Sequence, residues 1–496
     1  MTADVRASTV DGILTRSARR HPDRPALEFD GRTHTYTELD GVVSRVARHL
    51  VSTGLRPGDR VAAYGTNSDS YIVGFLACSR AGLVHVPINY ALIEDELTYL
   101  VRQSGARALL VDDALEPAVA AVRDGLALDR VLSLQTLLDL PDADVSLPTV
   151  RTSDLAQLLY TSGTTSKPKG AMMSHGALVS EYVSSVLALS FGSDDAPLIA
   201  MPLYHSAGMH VFALPYLSVG ATVRLMAKPD VAEILRRVEA ERIGSLFLAP
   251  TVWVPLAGHP DLDSRDLSSL RKAQYGASIM PVTVLERLRT RYPELKFYNC
   301  FGQSEIGPLA TVLQPEEHDE RPASCGRAVF FVETRVVSAD GEDVEDGEPG
   351  EILYRSPQLC DGYWDNPDAT AEAFRDGWFH SGDLVTRDAD GFVTVVDRIK
   401  DVINTGGILV ASREVEDAIY THPAVAEVAV IGVPDDKWIE AITAVVTVKD
   451  GHTVTAEEIV EHVSGRIAPF KIPKQVRFMD ELPRNQSGKL LKRELR

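Results

Sequence analysis

The sequence predicts an α/β protein: a large N-terminal domain of layered α/β sheets with a β subdomain, then a small α+β C-terminal domain. Three observations carry this. Short apolar runs alternate with helical patterns through the first half of the chain. A stretch rich in β-branched and aromatic residues, punctuated by Asp-Gly turns, begins near Cys325. The texture changes again after Asp397. At 496 residues the chain exceeds what one core usually organises.

In order along the chain, Val61–Tyr64 is a short apolar run. Ser68–Arg80 has the helical spread Tyr71, Ile72, Phe75, Leu76 and Ser79, stopped by Gly82. Leu83–Ile88, Ala108–Val111, Leu155–Tyr160 and Ser245–Ala249 are further apolar runs; alternation with helices predicts mainly parallel sheet. Arg327–Val337 and the turns Asp340-Gly341, Asp346-Gly347, Asp361-Gly362, Asp376-Gly377 and Asp390-Gly391 predict short antiparallel strands. Beyond the boundary at Arg398–Lys400, Ser412 is positioned to cap a helix through Tyr420, with Glu414 and Glu416 near its positive end. Val425–Val433 and Ala441–Val448 read as strands. Thr455 and Glu458 form a capping box opening a helix to about Ile467. The domains expected are therefore 1–397 and 401–496, with a connector at 398–400.

Hydrophobic residues make up 45% of the chain, enough for a large core, and the net charge is 50 − 70 = −20. Such a surface repels nucleic acid and anionic membrane, so a phosphate site must be a local basic island. Cys78, Cys300, Cys325 and Cys360 form no C-x-x-C pair and suit neither a zinc site nor a disulfide framework; buried thiols in a reducing cytosol are expected. No run approaches the roughly 20 apolar residues of a membrane span, and the first residues lack the apolar core of a secretory signal. The location expected is the cytoplasm.

The strongest chemical signal is Thr161-Ser162-Gly163-Thr164-Thr165-Ser166-Lys167-Pro168-Lys169-Gly170. Its hydroxyls can donate to phosphate oxygens, its glycines allow close backbone approach, and Lys167 and Lys169 bring positive charge into an acidic chain. A solvated linker of this composition would lack the strand pattern before it and the helical run Ser174–Leu187 behind it. It is not the G-x-x-x-x-G-K-[ST] loop of P-loop NTPases.

This segment resembles the T-S-G-[ST]-T-G-x-P-K-G loop of the adenylate-forming (AMP-binding) superfamily, with Ser166 in place of the usual Gly. The resemblance runs over nearly the whole chain and is similar to bacterial fatty-acyl-CoA synthetases. It implies an ATP-dependent, AMP-forming ligase with a mobile C-terminal domain. Met201–His205 is similar to the family's P-L-[FY]-H segment, which implies that His205 lies beside the activated carboxylate. Gln274–Ser278 looks like the adenine-edge loop, with Gly276, Ala277 and Ser278 against the base. Phe301–Glu305 resembles [FY]-G-x-T-E: the resemblance implies that Phe301 stacks on adenine, that Gly302 lines the site, that Ser304 meets the α-phosphate and that Glu305 holds Mg²⁺. Trp378–Asp383 is like W-[FY]-x-[ST]-G-D, giving Asp383 the ribose hydroxyls. Asp397–Asp401 resembles the hinge motif, with Arg398 on ribose and phosphate and Lys400 as pivot. In Pro483–Lys489 the family sets the lysine against the α-phosphate, so Lys489 is the expected catalytic cation.

The chemistry implied has two halves. A carboxylate attacks the α-phosphorus and pyrophosphate leaves, helped by Thr161, Glu305, the loop and Lys489; then a nucleophile displaces AMP after the small domain swings. ATP and Mg²⁺ are the expected cofactors, with CoA the acceptor first in order. Gly406–Glu416 departs from the family's G-G-E-N-[VI] pattern, because Ile408 and Leu409 replace a polar pair. That leaves open a carrier protein, an amine, or diazotase-type coupling of nitrite with an aryl amine. The acid, fatty or aryl, is also open: Tyr204–Phe212, Thr251–Trp253, Gly276–Ser278 and Gly302–Leu309 are the pocket candidates, with Trp253 as a wall. The resemblance is compatible with a homodimer.

Overall fold

The computed structural model describes residues 8–161, 167–278, 280–406, 408–435, 437–484 and 490–496. These fall into two units: one drawn from 8–161, 167–278, 280–333 and 355–379, the other from 334–354 and the described residues after 379.

The first unit contains two sheets. In the six-stranded sheet, strands Arg130–Ser133, Ala106–Val111, Arg60–Tyr64, Val84–Ile88 and Leu155–Thr161 lie side by side, with Lys169–Ser174 at the edge. All neighbours are parallel except the last pair. The runs Val61–Tyr64, Val84–Ile88 and Ala108–Val111 are buried on both faces, as parallel sheet requires. Helix Glu94–Ser104 packs Leu97 and Val101 against Val86 and Leu109. The expected helix at Ser68–Arg80 spans Asp69–Arg80. Ser68 caps it by accepting from the Tyr71 amide, and every residue from Asp69 to Ser79 is buried. A helix apolar on all sides belongs inside a layered fold, and each fully buried Ile or Phe contributes about 1.5–3 kcal/mol.

The nine-stranded sheet has a parallel centre, including Pro197–Ile199, Ser245–Leu248, Lys272–Gly276 and Lys296–Gly302, and antiparallel neighbours outside it. Leu246, Ala273 and Phe297 form a core with Ile234 and Leu285 from the covering helices. All four cysteines are buried and none forms a disulfide.

One local difference matters for the site. The sequence places a helix behind the phosphate loop. Between them the chain first forms strand Lys169–Ser174, antiparallel to Leu155–Thr161, and only then helix His175–Ala188, capped by Ser174. The return strand pairs Thr161 with Lys169.

The second unit carries the antiparallel pairing of 383–387 with 393–398. It also holds a five-stranded sheet built on the long pair Val425–Asp435 and Ile439–Val448. Val415 and Ile419 from helix Ser412–Tyr420, and Ile459 and Val463 from helix Ala456–Ser464, bury against Val430, Ile442 and Val446. The Thr455–Glu458 capping box is formed. Ser412 is not a cap: it is the first helical residue. Its amide and hydroxyl donate to Oδ2 of Asp397 at 2.6 and 2.7 Å, so a carboxylate from a neighbouring strand satisfies the helix start. Among the described residues no helix is long and apolar enough to cross a membrane.

Candidate active site

Thr161 ends the strand before the phosphate loop, and its hydroxyl donates to Oε1 of Glu305 at 3.1 Å. Glu305 sits in the short turn Ser304–Ile306, just after strand Lys296–Gly302. The same oxygen accepts from the Tyr363 hydroxyl at 3.0 Å. The sequence reading missed Tyr363. Segment 361–364 adds itself to strand Lys169–Ser174 through Asp361 N–Met172 O, Met172 N–Gly362 O and Trp364 N–Gly170 O bonds of 2.8–2.9 Å. The Asp361-Gly362 turn signal marked the place, but nothing local marked the partner. Burial, then the Glu305 charge, push the Tyr363 phenol well above its ordinary range, so it remains a donor.

Glu305 is buried, at 7% exposure, and among the described residues no cation is bonded to it. Nor do those residues contain a cluster of three His, Cys, Asp or Glu side chains suited to a metal. One carboxylate with hydroxyl neighbours and no counter-charge fits a hard cation that takes its remaining ligands from water and substrate phosphates, as Mg²⁺ does.

Around this carboxylate the backbone lies bare. A side chain on Gly276 would meet the Cys300 carbonyl oxygen at 2.1 Å, and one on Gly302 would meet that of Pro308 at 2.0 Å. Glycine is therefore required for adjacent strand ends to come this close. Ala277, at φ +64, and Ser278 are exposed, and Phe301 is half-buried. Ser304 Oγ is 2.9 Å from Ser206 Oγ, a second link absent from the sequence reading; it ties the Glu305 turn to the segment after His205. His205 accepts from the Ala207 amide at Nδ1 over 3.4 Å, just ahead of the π-helix Ala207–Ala213. Lys169 lies with its ammonium 5.2 Å from the Tyr363 ring centre.

Trp253 is 1% exposed and donates its indole N–H to the Gln274 carbonyl at 3.0 Å. It walls an apolar cavity of about 250 Å³ with Leu246, Leu256 and Leu288. Leu270 and Leu295, also in that wall, precede the strands that end at Gly276 and Gly302. The indole is thus a packed support for strand Lys272–Gly276.

In the second unit Arg398 Nε and Asp383 Oδ1 pair at 2.6 Å, facing each other across the hairpin register. Asp383 is buried and its amide donates to Ser381 Oγ. Lys400 lies in the turn Ile399–Asp401, whose carbonyl accepts from Arg496 at 3.3 Å. Ser162, Gly163, Thr164, Thr165 and Lys489 lie outside the described residues.

The first unit thus brings glycine-bearing strand ends and a hydroxyl-bound carboxylate together, and the second unit holds an Asp–Arg pair. The chain belongs to the AMP-binding enzyme family: the AMP-binding enzyme model matches residues 14–364, and the model of its C-terminal domain matches residues 414–489. It is an AMP-forming ligase of the acyl-CoA synthetase kind. A feruloyl-CoA synthase of Amycolatopsis sp is 40% identical over 481 residues, covering 97% of each chain. An indoleacetate–CoA ligase of Aromatoleum aromaticum is 35% identical over 495 residues, covering 97% of this chain and 96% of the relative. Among solved structures, o-succinylbenzoate coenzyme A synthetase of Bacillus subtilis, in complex with ATP and magnesium ion, aligns with a TM-score of 0.90 at 29% identity, covering 97% of this chain and 98% of that one.

Proposed function

We propose that this ligase activates an aryl carboxylic acid and passes the aryl-acyl group to CoA. The observation that carries the chemistry is the Glu305 carboxylate held by the Thr161 and Tyr363 hydroxyls, with no cation bonded to it among the described residues. The aryl preference is supported by the two relatives above, whose names give ferulate and indoleacetate as their acids.

In the first half-reaction a carboxylate oxygen of the acid bonds to the α-phosphorus of ATP, and the bond to pyrophosphate breaks. Thr161 and Tyr363 hold Glu305 aimed; Ser304 donates toward the α-phosphate; Lys489 supplies a positive charge at the same phosphorus. Glu305 would hold Mg²⁺, which would neutralise charge on the polyphosphate when bound. Gly276, Ala277, Ser278 and Phe301 hold adenine, while Asp383 and Arg398 hold the ribose. In the second half-reaction the CoA sulfur bonds to the acyl carbon, the bond to AMP breaks, and the thiol proton passes to solvent. Lys489 is withdrawn for that step by rotation of 401–496 against 1–397 at Lys400. The reaction takes place in the cytoplasm.

A carrier protein's pantetheine arm is the second reading for the acceptor. It is favoured by Ile408 and Leu409, 47% and 70% exposed on their strand, where apolar side chains await a partner.

The test is ATP–pyrophosphate exchange over a panel of benzoic, cinnamic, arylacetic and aliphatic acids, followed by CoA and mass analysis. Exchange with aryl acids and an aryl-acyl-CoA product are expected. Exchange confined to aliphatic acids overturns the acid assignment, and an adenylate that CoA does not consume overturns the acceptor.

A further inference from the structure

Beneath the Glu305 turn lies a buried polar assembly that the mechanism above does not use. Glu181, Ser184 and Ser185 share one face of helix His175–Ala188, and all three are fully buried, as is Gln358. The Gln358 side-chain nitrogen lies 2.7 Å from Glu181 Oε2, 2.9 Å from the Ile306 carbonyl oxygen and 2.7 Å from that of Leu309. Ser184 Oγ donates to Gln358 Oε1 at 2.9 Å, which fixes the amide's orientation. The Leu309 amide lies 3.4 Å from Glu181 Oε2, and Ser185 Oγ is 2.9 Å from Oε1. Gly307 presses so close that a side chain there would meet Glu181 Cβ and Oε2 at 3.1 Å. On the far side the Cys360 amide donates to the Glu305 carbonyl at 2.8 Å.

A buried carboxyl normally needs a cationic partner. Among the described residues Glu181 has none; its neighbours are an amide, a hydroxyl and backbone. Burial pushes it well above the carboxylate range. Every one of its contacts is with an uncharged group: Ser185 Oγ donates to Oε1, and Oε2 accepts from the Gln358 amide and the Leu309 N–H.

We propose that Glu181 is a positioning residue which, through Gln358, sets the 304–309 turn so that the Glu305 carboxylate faces the nucleotide's metal. This rests on the reading of Glu305 as the metal-side carboxylate.

Three variants test it in the full-length chain: Glu181→Gln, Glu181→Asp and Glu181→Leu. Gln keeps a neutral side chain of the same length, whose oxygen accepts from Gln358. Asp withdraws the carboxyl by one methylene, and Leu removes it. Two readouts are taken: binding of Mn²⁺ with α,β-methylene-ATP followed by electron paramagnetic resonance, and the Mg²⁺ concentration giving half-maximal pyrophosphate exchange. Glu181→Gln is expected to stay within about twofold of wild type in both, and Glu181→Leu to weaken both by about tenfold, the worth of one charge-oriented hydrogen bond. Glu181→Asp falls between and supplies the answer if Leu prevents folding. A lowered melting temperature with unchanged Mn²⁺ binding makes Glu181 merely structural and overturns the proposal. So does Gln behaving like Leu. Unchanged Mn²⁺ binding in Glu305→Gln would instead overturn the underlying reading of Glu305.

Discussion

The Tyr363 hydroxyl donates to Oε1 of Glu305 across 3.0 Å, although 58 residues separate them. Hydrogen bonds to charged groups are worth about 1.5–3 kcal/mol, more than neutral ones. Tyr363→Phe keeps the ring and removes that donor. Its kcat/KM for ATP in pyrophosphate exchange is expected to drop about tenfold to a hundredfold, with little change in melting temperature. Wild-type kinetics in this variant would dismiss the phenol from the site.

Lys489→Ala separates the half-reactions. Loss of a cation acting only at the α-phosphorus is expected to slow exchange by about 10²–10³, while transfer from a synthetic acyl-adenylate to CoA stays near wild type. Equal losses in both would remove the specific role.

Lys400→Pro is expected to do the reverse. Fixing one backbone torsion at the pivot preserves exchange and lowers CoA transfer. Stopped-flow measurement of each half checks it, and unchanged overall turnover counts against a hinge at this residue.

Asp383 and Arg398 form one pair, so each positions the other. Asp383→Asn is expected to raise the KM for ATP by about tenfold, while its effect on the acid's KM is small. A raised KM for the acid alone would contradict a ribose role.

A buried chain runs from Tyr182 through His210 and Gln157 to His85, with separations of 2.9, 2.7 and 3.0 Å. Gln157 Oε1 accepts from His210 Nε2–H, so His210 Nδ1 accepts from Tyr182, and His85 Nδ1 accepts from the Gln157 amide. Both rings are neutral in this pattern. Burial lowers His85 and His210 to about 3. A base lowered on folding contributes stability that is fully present above its unfolded pKa, about 6.5, and is lost as pH falls toward the folded value. Each such histidine therefore costs up to about 1.4 kcal/mol per pH unit on acidification below 6.5. Glu181, raised by burial, acts in the opposite direction, losing stability as pH rises above the carboxylate range. The measurement that isolates the histidine is the difference between wild type and His85→Gln: the stability lost between pH 7 and 5 is expected to be smaller in the variant. Parallel curves would show that His85 does not titrate on unfolding.

Much of this fold is legible in the chain because the relevant forces are local. The apolar runs at Val61–Tyr64, Leu83–Ile88 and Leu155–Tyr160 become strands, since they are too short for a helix and suit strands buried on both faces. The Thr455–Glu458 box forms because its partners are three residues apart. Gly276 and Gly302 sit where only hydrogen fits. The tertiary structure decided the rest. Ser412 looks like a cap in sequence, yet Asp397, 15 residues earlier, takes that task because the preceding strand ends beside the helix. Ser206 meets Ser304 across 98 residues, Tyr363 finds Glu305 through an added strand, and Glu181 reaches the same turn through Gln358. Local periodicity records which face of an element is apolar. It does not record strand register or which distant hydroxyl fills a buried carboxylate's remaining lone pair, and those are settled only when the layers close.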